Sequence, residues 1–331
     1  MFYSSFCRTI YCLLALEGGR TRITQTQVPL LDVLYEDNQI AVVAKPANVP
    51  CHHFELQTGK RKKIIKHNHL AEGKENNDND NNNDDDCTIP ILQRAIATFT
   101  HQKSIHLVHR LDSPTSGCLI LAFSSEAAKE ASMALSDYGE KTYYALCRGN
   151  GESLKKRGVF RVDGDVKDSR GRIKTGALTE IECLYGTDGP PRRCCLVKCK
   201  PHTGYYHQIR QHLAREHHPI VGENRHHPDR KENKFWRKEL GLLPESRVCL
   251  HCYRIVLENP ILTIDEEQVE EEGGDNDDNN DKVESTTVTR TRRRFKYIPS
   301  NGLNVRCPLP DDMKSLIQLT SFGEETMKLL N

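Results

Sequence analysis

The stretch that decides the fold reads His109-Arg110-Leu111-Asp112-Ser113-Pro114-Thr115-Ser116-Gly117. A short β-prone run precedes it, and the apolar residues 118–123 that follow have the composition of a buried strand. The Ser-Pro and Thr-Ser-Gly pairs favour a tight turn, because proline fixes φ and glycine accepts a positive φ. The sequence therefore predicts that Asp112 is held on a short loop against a sheet. A carboxylate fixed in this way suits nucleophilic or acid–base catalysis, although an aspartate that only caps the turn fits the same pattern.

Working outward from this turn, strands and helices alternate along the chain. Residues 33–35 and 40–44 flank a turn and predict a hairpin, and 142–148, 177–184, 194–200 and 248–257 read as further strands. Apolar spacing predicts helices over 89–99, 125–138, 206–215 and 311–330, with Ser124 or Ser125 as the N-cap of the second. Because hairpins outnumber βαβ units, we expect an α+β fold with a mixed, largely antiparallel sheet and flanking helices.

The net charge of +1 over 331 residues conceals a basic central region. Residues 88–260 contain 28 Lys and Arg against 19 Asp and Glu, a difference of +9. This bias favours a polyanionic partner held through its phosphates, with Arg192 and Arg193 as candidate contacts, although an ordinary solvated surface has the same composition. No apolar run approaches the ~18 residues of a membrane span, so we expect no membrane association.

Two low-complexity segments interrupt the chain. Residues 59–86 run from Lys-Arg-Lys-Lys into Asn/Asp repeats, and residues 266–296 pass from acidic to Arg-rich. Both have little apolar content, so we expect disordered insertions within one catalytic domain, residues 29–331. Residues 1–28 form a variable N-terminus that could be a targeting segment. The 13 scattered cysteines favour a reduced intracellular compartment, either the cytoplasm or an organelle such as a mitochondrion or plastid.

Four segments, in this order, resemble the motifs of the RluA-type RNA pseudouridine synthases. They are residues 109–117, Lys141-Thr142-Tyr143-Tyr144-Ala145-Leu146, the block Thr203-Gly204 to His207-Gln208-Ile209-Arg210-Gln211-His212-Leu213, and His218-Pro219-Ile220-Val221-Gly222. The resemblance covers residues 31–260 and is most similar to the type C branch, which acts on tRNA. It implies the α+β fold already expected, a uridine-to-pseudouridine isomerase, an RNA substrate, no cofactor and no metal. We expect the enzyme to be a monomer.

The resemblance also implies roles for individual residues. Asp112 matches the nucleophile, Arg210 the arginine that pairs with it, and Tyr143 the tyrosine that stacks on the target base and serves as a candidate general base. Arg110 matches the residue that replaces the extruded base, since a paired base must leave its helix to be reached. His207 and Gln208 are candidate RNA contacts. From the residues alone, Arg210 could equally bind a phosphate or form a surface salt bridge, and Tyr143 could belong to the core.

The cation expected beside Asp112 predicts a lowered pKa for its carboxyl. The alternation along 142–148 predicts that Tyr143 faces the cleft while Tyr144 points away, and His109 is expected to hold the turn. The chain departs from the family pattern where Tyr205-Tyr206 stand in place of the usual arginine, and where Glu223 replaces the usual aspartate.

Four other interpretations bear on the function. Zinc is disfavoured because the His and Cys residues lack paired ligand spacing, and a kinase is disfavoured because no glycine-rich loop is present. The functional alternatives are a ribosomal RNA pseudouridine synthase and a catalytically silent RNA-binding protein on the same fold. The absence of an S4-like module before residue 31 favours a compact RNA such as tRNA.

Overall fold

The computed structural model describes residues 9–11, 27–51, 89–259, 262–270 and 285–330. In chain order the strands are β1 Thr9–Tyr11, β2 Gln27–Pro29, β3 Asp32–Glu36, β4 Ile40–Lys45, β5 His106–Leu107, β6 Ser116–Ala122, β7 Gly139–Arg148, β8 Val159–Lys167, β9 Ile173–Thr187, β10 Cys194–Pro201, β11 Leu250–Leu257, β12 Leu262–Glu270, β13 Ser285–Arg293 and β14 Leu303–Arg306. The α-helices are α1 Ile91–Thr98, α2 Ser125–Asp137, α3 Glu152–Lys155, α4 Gln208–Arg215, α5 Arg230–Lys234, α6 Asp311–Gln318 and α7 Gly323–Leu330, and a π-helical turn, Phe235–Glu239, follows α5.

Ten of these strands form one sheet. Its order is β3-β4-β6-β11-β7-β10-β9-β8, with β5 also paired to β6 and β14 to β11. The β6–β11 pair is parallel and the others are antiparallel. The prediction of a mixed, largely antiparallel α+β fold is therefore confirmed. No helix among the described ranges is long and apolar enough to cross a membrane.

Helix α2 shows how the local sequence fixes an element on this sheet. The Ser124 hydroxyl accepts a hydrogen bond from the Ala127 backbone N–H at 3.1 Å, which confirms the predicted N-cap. Ala127, Ala131 and Ala134 recur at helical spacing and are fully buried. Their small side chains let the helix lie close to the sheet, where β6 is buried at every position.

The predicted helix over 311–330 is wrong in its middle. Residues 319–322 separate α6 from α7. The Thr320 hydroxyl donates a 2.6 Å hydrogen bond to the Ile317 carbonyl, a local bond that competes with helix continuation. The Gly323 backbone N–H then bonds to the Thr320 carbonyl, and the chain enters α7 in a new direction.

The segment 266–296, predicted to be a disordered insertion, contains strand residues at both of its ends. Strands β12 and β13 pair antiparallel over nine positions, and Asp265 stands opposite Arg290 in the register. The Thr- and Val-rich composition of β13 suits a strand. The insertion 59–86, residues 271–284 and most of the N-terminal segment lie outside the described residues. In the described part of the N-terminal region, β1 pairs with β2.

Candidate active site

The turn that carries Asp112, residues 112–116 and here called the Asp112 turn, connects to β6 at the centre of the sheet. It is closed by a 3.0 Å hydrogen bond from the Thr115 backbone N–H to the Asp112 carbonyl. Gly117 follows with φ +120°, and a Cβ there would lie 2.2 Å from the Cys252 carbonyl oxygen. Only glycine permits this close approach to β11, so the predicted tight turn is confirmed.

His109 stabilises the Asp112 turn through a hydrogen bond with strand β6. Its Nε2 accepts a 3.1 Å hydrogen bond from the Ile120 backbone N–H on β6. Burial lowers the pKa of His109 to about 3, so the ring is neutral and able to accept that bond. The prediction that His109 holds the turn is confirmed.

Arg210 lies in the first turn of α4, next to the Asp112 carboxylate. Its Nη1 is 3.6 Å from Asp112 Oδ2. Its Nε and Nη2 donate to the two carboxylate oxygens of Glu223 at 2.7 and 2.9 Å. Ile209 and Leu213 on the same helix are buried in the core, as predicted. The bidentate pair with Glu223 fixes the guanidinium plane, so that the remaining nitrogen is directed toward Asp112.

Glu223 is the fully buried centre of this arrangement. Its Oε1 also accepts the backbone N–H groups of Arg225 and His226 at 2.7 and 3.1 Å. Burial acts against ionisation, but the Arg210 guanidinium and these N–H donors outweigh it and lower the pKa of Glu223 to about 2. Glu223 therefore carries a negative charge that pairs with the Arg210 guanidinium.

His207 lies between Arg210 and His226 and contacts both side chains. It precedes α4 with a left-handed φ of 51°. Its Nε2 lies 3.1 Å from Arg210 Nη1 and its Nδ1 lies 2.9 Å from His226 Nε2. Because arginine can only donate, His207 Nε2 must accept, and Nδ1 then carries the proton donated to His226. Burial and the Arg210 charge lower the pKa of His207 to about 3, which keeps this tautomer neutral.

The pKa of Asp112 is the result of opposing effects. Burial raises it, while the charges of Arg210 and Lys45 lower it, and the net direction is upward. The predicted neighbouring cation is present, but the predicted net lowering is wrong. Desolvation outweighs a 3.6 Å ion pair because Arg210 shares its charge with Glu223.

Tyr143 lies on β7 and faces the same cavity as Asp112. Tyr144 lies on the opposite face and packs against Tyr253 with ring centroids 5.1 Å apart, so the predicted alternation is confirmed. Tyr143 stands opposite Cys252 in the β7–β11 register. Burial, followed by the neighbouring Cys252 thiol, raises the pKa of Tyr143 well above its ordinary value, so its hydroxyl is protonated.

One cavity of about 440 Å³ brings these groups together. Six predicted site residues line it: Arg110, Asp112, Tyr143, His207, Gln208 and Arg210. This volume lies within the range of small-molecule pockets. The exposed Arg110 and the 38% exposed Tyr205 are in its wall, available to a bound molecule.

The Gln208 amide, predicted to contact RNA, forms its hydrogen bonds within the protein. Its Oε1 accepts from the Thr203 hydroxyl and the Tyr205 backbone N–H at 2.7 and 3.1 Å. Its Nε2 donates to the Leu178 carbonyl and the Thr179 hydroxyl at 3.0 and 2.9 Å. All four hydrogen-bonding positions of the amide are satisfied within the protein, so Gln208 fixes the loop ahead of α4 and has none left for RNA.

Arg192 and Arg193 lie away from the cavity. They precede β10, and the far end of that strand, Pro201, lines the cavity. At the usual rise of a strand, Pro201 is about 23 Å from Cys194, where β10 begins. The Arg192 guanidinium lies 4.2 Å from the centre of the Phe235 ring, and Arg193 Nε lies 3.0 Å from Asp188 Oδ1. The role of this pair as phosphate contacts stays a prediction.

Sequence reasoning missed two buried cations beside the Asp112 turn. Lys45 ends β4, and its Nζ donates to the carbonyls of Pro46, Ser113 and Thr115 at 2.8, 3.0 and 2.8 Å. Arg247 donates to the Pro114 carbonyl at 2.7 Å. A lysine that ends an apolar strand was a visible signal in the first case, whereas nothing near Arg247 in the sequence indicated its position. Among the described residues, no group of three or more His, Cys, Asp or Glu side chains could hold a metal ion.

Residues 39–215 match the family model described as RNA pseudouridylate synthase. The chain is 30% identical over 248 residues to a tRNA pseudouridine synthase C of Vibrio parahaemolyticus serotype O3:K6, covering 70% of this chain and 85% of that one. It is 28% identical over 247 residues to the enzyme of that name from Yersinia pestis, covering 70% and 82%. The solved structure of Human RNA Pseudouridylate Synthase Domain Containing 4 aligns with a TM-score of 0.49 at 19% identity, covering 85% of this chain and 90% of that one. The chain belongs to the RNA pseudouridylate synthase family and is an RNA pseudouridine synthase.

Proposed function

We propose that this enzyme converts uridine to pseudouridine in tRNA, with Asp112 as the nucleophile and Arg210 and Tyr143 as its catalytic partners. The observation that carries the proposal is the cavity in which these three side chains meet, with Arg210 Nη1 3.6 Å from Asp112 Oδ2. The proposed site is assembled from one chain, so we expect a monomer to be sufficient for activity.

The reaction is an isomerisation and needs no other reactant. The C1′–N1 glycosidic bond breaks, the base turns, and a C1′–C5 bond forms. The proton lost from C5 is balanced by the proton gained at N1. The protein must therefore stabilise a separated base and sugar and exclude water until the new bond forms. A cavity walled by apolar residues such as Leu107, Leu111 and Leu250 suits this requirement.

Asp112 and Arg210 have complementary tasks in this scheme. The carboxylate keeps 24% of its side chain exposed toward the cavity, enough to reach a bound nucleotide. Burial raises the pKa of Asp112, and an aspartate poorly stabilised by water is a stronger nucleophile once ionised. The Arg210 charge opposes that rise and favours the ionised form at neutral pH.

Tyr143 and Arg110 have the tasks of positioning the base and replacing it in the helix. The Tyr143 ring offers a flat surface on which the target base can stack. Its raised pKa keeps the hydroxyl protonated, which favours a stacking role over proton abstraction. The exposed Arg110, directly before Leu111 and Asp112, is placed to fill the space left when the base is flipped, a movement that costs a few kcal/mol.

The type of RNA is argued from the relatives. The curated proteins at 30% and 28% identity are named for tRNA, and this chain spans more than four-fifths of each. This supports tRNA over ribosomal RNA. A silent RNA-binding protein on this fold is disfavoured because the Asp112, Tyr143 and Arg210 side chains are all intact and meet in one cavity.

The test is turnover by the purified protein on unmodified tRNA transcripts, read as pseudouridine formed per enzyme. The matched variant is Asp112→Asn, which removes one charge and changes the shape little. We expect multiple turnovers by the parent and none by Asp112→Asn, with RNA affinity within about three-fold because the phosphate contacts remain. Wild-type-like turnover by Asp112→Asn would refute the nucleophile, and turnover on ribosomal RNA fragments alone would refute the substrate.

A further inference from the structure

Two buried cations hold the backbone that follows Asp112. Lys45 Nζ binds the carbonyls of Ser113 and Thr115, and Arg247 Nη1 binds the carbonyl of Pro114 that lies between them. Three consecutive peptide units of the Asp112 turn are therefore fixed by buried side-chain donors. Burial lowers the pKa of Lys45 to about 7, so at neutral pH the Arg247 guanidinium is the donor whose full charge strengthens its hydrogen bonds to the turn.

Arg247 is completely buried and every nitrogen of its guanidinium has a partner. Nη1 also binds the carbonyls of Val248 and Leu250 at 2.7 and 3.1 Å. Nη2 donates to the Ser116 hydroxyl at 3.0 Å, and that hydroxyl lies 2.9 Å from His251 Nδ1. Arg247 thus contacts both sides of the junction where the Asp112 turn enters β6 beside β11.

The charge of Arg247 is neutralised from a distant part of the chain. Asp312, in the first turn of α6, accepts a 2.8 Å hydrogen bond at Oδ2 from Arg247 Nε. A buried cation without a partner would be strongly destabilising, so Asp312 is what permits Arg247 to remain at this position. Both residues lie beyond the segment 39–215 that the family model matches.

We propose that the Arg247–Asp312 ion pair is a positioning device through which helix α6 sets the placement of the Asp112 carboxylate. Neither residue lines the cavity, so the pair acts through the backbone of the Asp112 turn and touches no reacting atom. The inference rests on the proposed role of Asp112. Since small displacements of a reacting group reduce rates steeply, weakening the pair lowers the rate of the chemical step and leaves RNA binding in place.

The experiment compares Asp312→Asn with Asp311→Asn in the full chain. Both variants remove one negative charge from the first turn of α6, but the Asp311 side chain is 98% exposed whereas that of Asp312 is 18% exposed and bound to Arg247. Single-turnover rate constants are measured with enzyme in excess over tRNA transcript, at a temperature well below the melting point of each variant. We expect Asp312→Asn to be slower by about ten-fold or more, with Asp311→Asn unchanged and RNA affinity equal.

Measurement at saturating enzyme separates positioning from stability. A displaced Asp112 lowers the single-turnover rate constant at saturation, whereas partial unfolding lowers only the concentration of active enzyme and leaves the rate constant at saturation unchanged. Rescue by Asp312→Glu, which restores the charge, would support positioning further. An unchanged rate constant at saturation in Asp312→Asn overturns the inference.

Asp112→Asn is run in parallel so that the two proposals fail separately. If Asp112→Asn is inactive and Asp312→Asn is normal, the positioning inference alone is wrong. If Asp112→Asn turns over like the parent, the proposed function is wrong, whatever Asp312→Asn does.

Discussion

Replacing Glu223 by glutamine tests how the arginine beside the proposed nucleophile is held. Glu223 is fully buried and accepts two hydrogen bonds from Arg210 and two from backbone N–H groups. A glutamine amide offers one oxygen and turns an NH₂ group toward donors, so at least one N–H loses its acceptor. Removing one partner of a buried ion pair typically costs ~3–5 kcal/mol.

The lowered pKa of Glu223 implies a similar loss in the free energy of unfolding. Its fall from the ordinary 4.5 to about 2 corresponds to roughly 3 kcal/mol of preference for the ionised carboxylate. For a domain of this size, ~3 kcal/mol lowers the melting temperature by about 6–12 °C. Because the folded pKa lies below the unfolded one, this stabilisation is complete above pH 4.5 and is lost as the pH falls from 4.5 toward 2.

The assay is thermal unfolding of the parent and Glu223→Gln between pH 7 and pH 3. Glu182→Gln serves as the control, because Glu182 also pairs with a cation, Lys198 at 3.0 Å, but both side chains are about a third exposed. We expect the control to cost less than about 1 kcal/mol. A melting temperature for Glu223→Gln within 2 °C of the parent at pH 7, or a gap that does not narrow at low pH, would refute this account.

Three further predictions concern the RNA and the reaction. Tyr205→Ala should raise KM about ten-fold with little change in kcat, because an exposed ring on the cavity wall can stack on a base for ~1–3 kcal/mol; steady-state kinetics would check this. Neutralising Arg192 and Arg193 together should reduce the slope of log Kd against log salt by about 1–2, measured by salt titration, and an unchanged slope would remove them from the interface. Because burial raises the pKa of Asp112, kcat/KM should fall on the acid side with a midpoint above the ordinary aspartate value of 3.8, and a pH–rate profile flat down to that value would contradict it.

The local features of this fold were predictable because they depend on neighbouring residues. The turn between Asp112 and Gly117 follows from proline and glycine chemistry, and the Ser124 cap of α2 from a single hydroxyl. The alternation of Tyr143 and Tyr144 follows from the two-residue period of a strand. Strand β8 escaped prediction because Asp and Gly residues interrupt its apolar alternation, and its pairing with β9 is what stabilises it.

The pairing of distant charges was not predictable in the same way. Arg247 and Asp312 are 65 positions apart and meet only because β11 and α6 pack near the Asp112 turn. The upward shift of the Asp112 pKa depends on burial, which the motif does not reveal, and on the competition of Glu223 for Arg210. Motif spacing thus identified the groups that meet in the cavity, whereas the three-dimensional packing determines their charge states.

The central claim is tested most directly by mapping pseudouridine in the total RNA of cells that lack this protein. The cells are complemented with the parent chain or with Asp112→Asn at equal abundance. The account predicts that at least one tRNA uridine loses its modification in the deficient cells and regains it with the parent but not with Asp112→Asn. Restoration by Asp112→Asn, or a loss confined to ribosomal RNA, would contradict it.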